Sequence, residues 1–168
     1  MPSADDTGPP MPQALRAALG RFATGVTIIT CLDGQGEAVG LTANSFAALS
    51  LDPPLVLWSL RKASASRPAF EAARHFAINV LAETQVDLSR RFASAAVPDK
   101  FAEGAWATGL GGVPVLAGCA AVFECQAEAC HDIGDHLLFI GRVLRLADLA
   151  VPPLLFQGGH YRLVGEVL

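Results

Sequence analysis

The feature that most constrains the fold is a pair of long apolar segments separated by a very short turn. Ala120 to Cys130 and Leu137 to Leu146 are each long enough for an extended strand, and Asp132 to Asp135 (DIGD) lies between them. Strands joined by so few residues run antiparallel, because a parallel pair needs a crossover of about a dozen residues or more. The sequence therefore predicts a long antiparallel hairpin.

Further segments of strand character precede and follow this hairpin. Gly25 to Cys31 is β-branched and apolar, and the hairpin signal Asp33-Gly34 separates it from a partner strand over Ala38 to Ser45. Pro54 to Leu60 is apolar almost throughout, which predicts a strand buried on both faces. Two more strands are predicted over His75 to Leu81 and Leu154 to Val164.

Helical signals are few and short. An apolar stripe from Leu15 to Phe22 predicts an N-terminal helix over Gln13 to Phe22. A second helix is predicted to begin near Pro68, because proline suits the first helical turn. Thr84 with Asp87 three residues later is a capping pattern, and it predicts a helix over Gln85 to Ala93.

Six or more strands with two or three short helices favour a mainly antiparallel β fold with the helices outside it. The expected architecture is a closed or nearly closed β-barrel. An α/β sheet is the alternative, but strands and helices do not alternate regularly. Gly109 to Pro114 is also not a G-x-G-x-x-G that opens a helix. Ser94 to Gly118, rich in Gly, Pro and Ala, is predicted to be a loop-rich excursion, and Phe46 to Asp52 an ordinary loop.

Composition narrows the function. The 168 residues suit one domain, predicted over 13–168 after a disordered leader over 1–12. The net charge of −4 argues against nucleic acid as a partner, and only 17% of the residues are charged, which favours a homodimer.

No apolar run is long enough for a membrane span, so a cytoplasmic protein is expected. No zinc-type spacing is present, so no metal is predicted. The cysteines are expected to be reduced and buried: Cys31, Cys119, Cys125 and Cys130.

Five segments carry residues suited to binding. Gly40 to Phe46 offers backbone groups and short polar side chains that suit the edge of a planar heterocycle. Ser59 to Pro68 combines hydroxyls with cations, Lys62 among them, before a predicted helix, which fits either a phosphate cradle or a polar connection with a serine cap. In Ser89 to Ala93 one arginine is free to reach a phosphate, but Arg90 and Arg91 also fit cations that complement the C-terminus of the predicted helix. Gly134 to His136 and Phe156 to Arg162 each fit ordinary turn chemistry as well as a site.

In this order the segments resemble the short-chain flavin reductase family, the FMN-binding split-barrel reductases that supply reduced flavin to two-component monooxygenases. The resemblance covers residues 15 to 164 and implies an antiparallel split β-barrel with Greek-key-like connections. Its motifs are FATGVTIIT (22–30), GLTANSFAALSLDPP (40–54), FAINVL (76–81), LSRRFA (88–93), DKF (99–101), GDH (134–136) and the region 153–161.

The resemblance implies site residues in two groups. Those that would hold the flavin ring, ribityl chain and phosphate are Ala38, Val39, Gly40, Leu41, Thr42, Ala43, Asn44, Ser45, Ser59, Leu60, Arg61, Ala65, Ser66, Arg91 and Phe92. Those that would face the nicotinamide nucleotide are His136, Phe156, Gln157, Gly158, Gly159 and Tyr161.

The implied activity is hydride transfer from NADH or NADPH to FMN or FAD, with reduced flavin passed to a partner monooxygenase. This chemistry belongs to the cofactor, so the protein needs a slot and hydrogen bonds rather than a nucleophile. Two alternatives stay open. One is a flavin-carrying or flavin-sensing protein without turnover. The other is an enzyme similar to pyridoxamine-phosphate oxidase.

Overall fold

The computed structural model describes residues 11–168. The predicted leader over 1–12 lies outside the described residues except at its end, where Pro12 already begins the first helix. The helices are α1 (Pro12–Leu19), α2 (Arg67–Ala72) and α3 (Val86–Ala93). The strands are β1 (Thr24–Gly25), β2 (Thr27–Leu32), β3 (Ala38–Ala43), β4 (Ala47–Leu51), β5 (Pro54–Arg61), β6 (His75–Val80), β7 (Trp106–Thr108), β8 (Pro114–Leu116), β9 (Ala121–Ile133), β10 (His136–Asp148), β11 (Leu155–Gln157) and β12 (His160–Arg162).

The centre of the fold is a seven-stranded sheet in the order β3-β2-β6-β9-β10-β5-β4. Every neighbouring pair in this sheet is antiparallel. The predicted hairpins are both present: β9 and β10 pair along almost their whole length, and β2 pairs with β3. Gly134 supplies the positive φ of 58° that the β9–β10 turn requires. The mainly antiparallel β class is therefore confirmed, and the α/β alternative is wrong.

The sheet curls so that its two edge regions meet through a side chain. Ser45, just beyond β3, donates from Oγ to the Ser59 carbonyl at 3.0 Å and accepts from the Ser59 N–H at 2.9 Å. Ser59 belongs to β5, which lies next to the opposite edge of the sheet. One serine thus spans the seam of an open, split barrel.

Aromatic rings fill the interior of this curve. Trp58 is fully buried and stacks on Phe139 with ring centroids 4.6 Å apart, while Phe70 of α2 meets its edge at 4.9 Å. A second cluster lies under α3, where Phe92 packs with Leu81, Leu116 and the other buried residues of that group. The two clusters hold the sheet and α3 in a fixed relation, and that relation defines the groove described below.

Several local predictions are wrong, and each error has a tertiary cause. The predicted loop 46–52 contains β4, which exists through its pairing with β5. Pro54 is exposed and Leu55 to Leu60 alternate between half-buried and buried residues, because only one face of this antiparallel sheet packs on the core. The excursion 94–118 contains the small hairpin β7–β8. The last predicted strand, 154–164, is two strands, because Gly158 and Gly159 turn the chain with φ of 61° and 82°.

Two helix predictions also need correction. The predicted cap at Thr84 is absent from the start of α3; instead the Gln85 side chain accepts a hydrogen bond from the Ala82 N–H at 2.9 Å. The apolar stripe of α1 is not part of the core, since Leu19 is 64% exposed and Phe22, beyond the helix, is 78% exposed. Within the described residues, none of the helices has the length and apolar run needed to cross a bilayer.

Candidate active site

A broad open groove of about 970 Å³ lies between the seam of the sheet and the end of α3. It forms where the ends of β3 and β5, the connection from β5 to α2 and the start of β10 come together. The lining residues are Leu41, Thr42, Ala43, Asn44, Ser45, Ser59, Leu60, Arg61, Ala63, Ser64, Ala65, Ser66, Phe92, Ala93, Ala95, Lys100 and His136.

One wall of the groove is an edge strand. β3 is the first strand in the order of the sheet, and β2 is its one neighbour there. Some backbone N–H and C=O groups of β3 are therefore not used by the β2–β3 ladder. Its hydroxyls are directed by the protein itself: Thr42 Oγ1 donates to the Ser89 carbonyl at 2.7 Å, and Ser45 Oγ bridges to Ser59. The wall therefore presents fixed backbone donors and acceptors, which suit the polar edge of a flat heterocycle.

Cations lie on the same groove. Arg61 is the exposed last residue of β5, and Lys100 is half-buried with its Nζ donating to the Phe92 carbonyl at 2.9 Å. Burial lowers the pKa of Lys100. Among the described lining residues there is no carboxylate. The groove is thus suited to an anionic group such as a phosphate.

His136 opens β10 directly across the ladder from Arg61. Its Nδ1 lies 2.7 Å from Oδ1 of Asp135, and this hydrogen bond lowers the pKa of the Asp135 carboxyl. An ionised carboxylate can only accept, so the proton of this bond is on Nδ1. The contact therefore orients the imidazole at the groove.

The site offers little for nucleophilic catalysis. Burial raises the pKa of Cys31, Cys119 and Cys125 to about 12 in each case, and none of these thiols lines the described groove. The prediction of a buried thiol is wrong for Cys130, which is exposed on β9. The Ser45 hydroxyl is engaged with backbone on both sides of its oxygen. The arrangement can bind and orient a planar, anionic ligand whose chemistry is its own.

The structure brings most of the predicted flavin residues together, but not all. Leu41 to Ser45, Ser59 to Arg61, Ala65, Ser66 and Phe92 line one groove, and His136 lines it too. Ala38, Val39 and Gly40 do not. Gly40 is buried, and a Cβ there would lie 2.7 Å from the Phe92 ring.

Arg91 and the C-terminal residues lie outside this lining. The Arg91 guanidinium turns to the segment 99–103, where Nε donates to the Lys100 carbonyl at 2.9 Å. Phe156 and Gln157 belong to β11, Tyr161 to β12, and Gly158 and Gly159 to the turn between them. They form a separate small sheet with β1. That sheet is linked to the groove indirectly: Tyr161 Oη lies 2.8 Å from Oγ of the buried Ser89, and Phe156 and Tyr161 pack against the cluster that contains Phe92.

Lys100 lines the groove, and its only sequence signal is its place in the DKF motif (99–101). Lys62, a cation of the predicted cradle, forms an ion pair with Asp132 and does not line the groove. Ala63, Ser64 and Ala93 fall within the predicted binding segments, whereas Ala95 lies outside all of them. Small residues on loops carry no local signal, and only the docking of α3 against the sheet brings them to one place.

Fold and groove together define a class: an antiparallel β scaffold that binds a flat heterocycle carrying an anionic group at an open seam. The family model for the flavin reductase like domain matches residues 19–165. The chain belongs to the flavin reductase like family, and the predicted resemblance is confirmed.

Individual relatives agree with this assignment. FMN reductase (NADH) SmoA of Agrobacterium fabrum (strain C58) is 48% identical over 149 residues, covering 89% of this chain and 84% of that protein. The reductase subunit HsaB of a flavin-dependent monooxygenase from Rhodococcus jostii (strain RHA1) is 47% identical, with 89% and 76% covered. The chain spans only 51% and 65% of two relatives from Rhizobium meliloti.

A solved structure is similar over nearly the whole chain. The NADH:FAD oxidoreductase SgcE6 of Streptomyces globisporus, in complex with NAD and FAD fragments, superposes with a TM-score of 0.84 at 37% identity. The match covers 90% of this chain and 91% of that one.

Proposed function

We propose that this protein is an NAD(P)H:flavin oxidoreductase that reduces FMN or FAD. The observation that carries the proposal is the groove itself, which joins an edge strand to cations and an oriented histidine without a carboxylate among its described lining residues. Family membership and the names of the relatives support the same activity. When bound, the flavin supplies the hydride-accepting chemistry, and the chain binds and orients both reactants.

The flavin ring fits best against the β3 wall. Thr42 to Ser45 would present backbone and amide groups to its polar edge, and fixed donors there stabilise negative charge on a reduced ring. Arg61, Ser66 and Lys100 would hold the phosphate, since two cations and a hydroxyl lie on the same lining. For Ala38 to Gly40, a direct contact with the flavin stays a prediction.

His136 is our candidate for the nicotinamide side. It is the lining residue that Asp135 orients, and a flavin carrier without turnover has no use for such a histidine. The residues of β11, β12 and their turn remain candidates for the nicotinamide nucleotide, although they lie outside the groove of one chain. Tyr161 is the member of that group tied toward the groove, through Ser89.

We propose further that the protein passes reduced flavin to a monooxygenase partner. HsaB, 47% identical, is named as the reductase subunit of such an enzyme. The groove is open, so a reduced flavin can leave it. Four cysteines are free in the described residues, which is compatible with the reducing cytoplasm where we place the protein.

A homodimer is the oligomeric state we propose. The apolar side chains of α1 and the residues after it are exposed in the part of the chain that the structure describes; Leu19 and Phe22 are 64% and 78% exposed. Leu163 and Val164 near the C-terminus are likewise exposed. Large apolar side chains exposed in this number favour association with a second copy. The dimer would share its flavin grooves.

An anaerobic reduction assay tests the activity. Purified protein mixed with FMN and NADH under nitrogen should bleach the oxidised-flavin absorption, and the rate should saturate with both reactants. No bleaching would refute the proposal. Tight retention of FMN through gel filtration without NADH oxidation would instead identify a flavin carrier. Oxidation of pyridoxamine phosphate would identify the other alternative.

Variants of two histidines test the nicotinamide side. His136→Ala should raise the apparent KM for NADH, because the oriented ring is lost from the groove. His131→Ala is the matched control, since His131 is exposed on β9 and does not line the groove. An unchanged KM for NADH in His136→Ala would contradict this role.

A further inference from the structure

The Arg91 side chain binds the segment 99–103 rather than pointing into the groove. Nε donates to the Lys100 carbonyl at 2.9 Å, Nη1 to the Glu103 carboxylate at 2.9 Å, and Nη2 to the Asp99 carbonyl. The side chain is only 20% exposed. Three of the five guanidinium N–H groups therefore have protein acceptors, and these bonds hold the Arg91 side chain against the segment 99–103 rather than in the groove.

Lys100 returns the contact in the opposite direction. Its Nζ donates to the Phe92 carbonyl, the residue that follows Arg91 in α3, at 2.9 Å. The end of α3 and the segment 99–103 are thus joined twice, by the side chain of each to the backbone of the other. Of these two cations, Lys100 lines the groove and Arg91 does not.

We propose that Arg91 is a positioning residue: it fastens the segment that carries Lys100, and Lys100 supplies the positive charge that recognises the flavin phosphate. The inference rests on the proposed function. A lysine side chain loses much rotamer freedom when it binds an anion, and its backbone here belongs to a connecting segment. Fixing that backbone removes part of the cost before the ligand arrives.

The experiment compares FMN with riboflavin, which has the same ring and no phosphate. Affinities are measured by quenching of flavin fluorescence. Lys100→Met should weaken FMN binding about tenfold or more and change riboflavin binding less than about twofold, because the phosphate contact is lost and the contacts to the flavin ring are kept. Arg91→Met should lose most of the same FMN preference. Riboflavin binding serves as the check that the groove is still folded.

The double variant separates positioning from direct contact. If Arg91 acts through Lys100, then Arg91→Met in the Lys100→Met background should weaken FMN binding less than about twofold further. A further loss of about tenfold would mean that Arg91 contacts the phosphate itself, and it would overturn the proposal. Arg90→Met is the matched control on the same helix and should leave the FMN preference unchanged.

Glu103→Gln is a further test, in which the two possible roles of Arg91 predict different changes in FMN affinity. The substitution leaves the residues of α3 unchanged. If Arg91 fastens the segment 99–103, Glu103→Gln should weaken FMN binding, because Arg91 loses its charged hydrogen-bond acceptor. A direct role predicts unchanged or tighter binding, because the guanidinium is released, and that result would overturn the proposal even if Arg91→Met does not fold. A wild-type protein that reduces flavin with NADH but binds FMN and riboflavin equally would refute the inference alone. Absence of flavin reduction would refute the proposed function.

Discussion

Gly40 occupies a place in β3 where a side chain has no room. A Cβ there would lie 2.7 Å from Cε1 of Phe92 and 3.1 Å from Cζ of Phe101, whereas ordinary contact begins at 3.4 Å. The Phe92 ring would have to retreat by about 0.7 Å. It is 1% exposed and packs against Phe101 and Trp106 with centroids 5.0 Å and 5.4 Å away, so a retreat disturbs the whole cluster.

Gly40→Ala should therefore destabilise the protein in spite of the usual benefit of replacing glycine. Alanine restricts the unfolded chain and is worth about 0.4–1 kcal/mol where it fits. Overpacking of a close-packed core costs about 1–3 kcal/mol. The expected net loss is about 1–2 kcal/mol, which for a chain of this length lowers the Tm by roughly 2–8 °C.

Chemical and thermal unfolding measure this loss. Gly34→Ala is the control, because a Cβ at Gly34 meets nothing within 4 Å. Phe92→Leu should cost less free energy of unfolding in the Gly40→Ala background than in the wild type, because the smaller side chain relieves the clash. The reasoning fails if Gly40→Ala unfolds at the wild-type midpoint, or if the two substitutions are additive.

Three further predictions follow from the titratable groups and the apolar surface. Burial lowers the pKa of Lys100, so the preference for FMN over riboflavin should fall as the pH rises through a value below the pKa of an ordinary lysine. Lys100→Arg should make this preference less dependent on pH. A pH-independent preference in the wild type would contradict the prediction. Among the described cysteines, Cys130 is the exposed one, so a thiol reagent should modify one thiol per native chain and four after unfolding; rapid modification of more than one would contradict the burial. Phe22→Asp should convert a dimer to a monomer in light scattering, whereas a wild-type monomer would refute the proposed dimer.

The sheet was predictable because most of its strands have clear signals in the local sequence. β9 and β10 are long, apolar and joined by a turn that contains a glycine, and β2 and β3 flank an Asp-Gly pair. Each of these pairs is made of neighbours in sequence. β4 carries only alanine, serine and leucine, which have weak strand preference, so its pairing partner decides its conformation.

The stripe of α1 shows the limit of periodicity as a guide. Its spacing predicts an apolar face, and the helix is present, but the face is not buried in the described chain. Periodicity reports that one side of a helix needs an apolar neighbour. It does not report whether that neighbour belongs to the same chain, and here the absence of cover is what supports a second copy.

The site was predictable where its residues come from one stretch of chain and unpredictable where two stretches meet. Thr42 to Ser45 follow one another at the end of β3, so their polar character marks them together. Lys100 and Arg91 are nine residues apart in the chain, and nothing local says which of the two cations reaches the groove. In the structure the Arg91 guanidinium is directed away from the groove by hydrogen bonds to two carbonyls and a carboxylate.

The groove lies at the seam because an open barrel leaves polar groups there that a closed ladder would have used. If β3 paired fully with β5, its outer backbone groups would be spent on strand-to-strand hydrogen bonds. A single serine, Ser45, makes the join to Ser59 instead and leaves the rest of the β3 wall available. Ser45→Ala would remove the join and leave the Ser59 N–H and carbonyl without it, so closure of the fold and shape of the binding wall depend on the same side chain. For this reason the short polar residues after β3 cannot be assigned to either stability or binding alone.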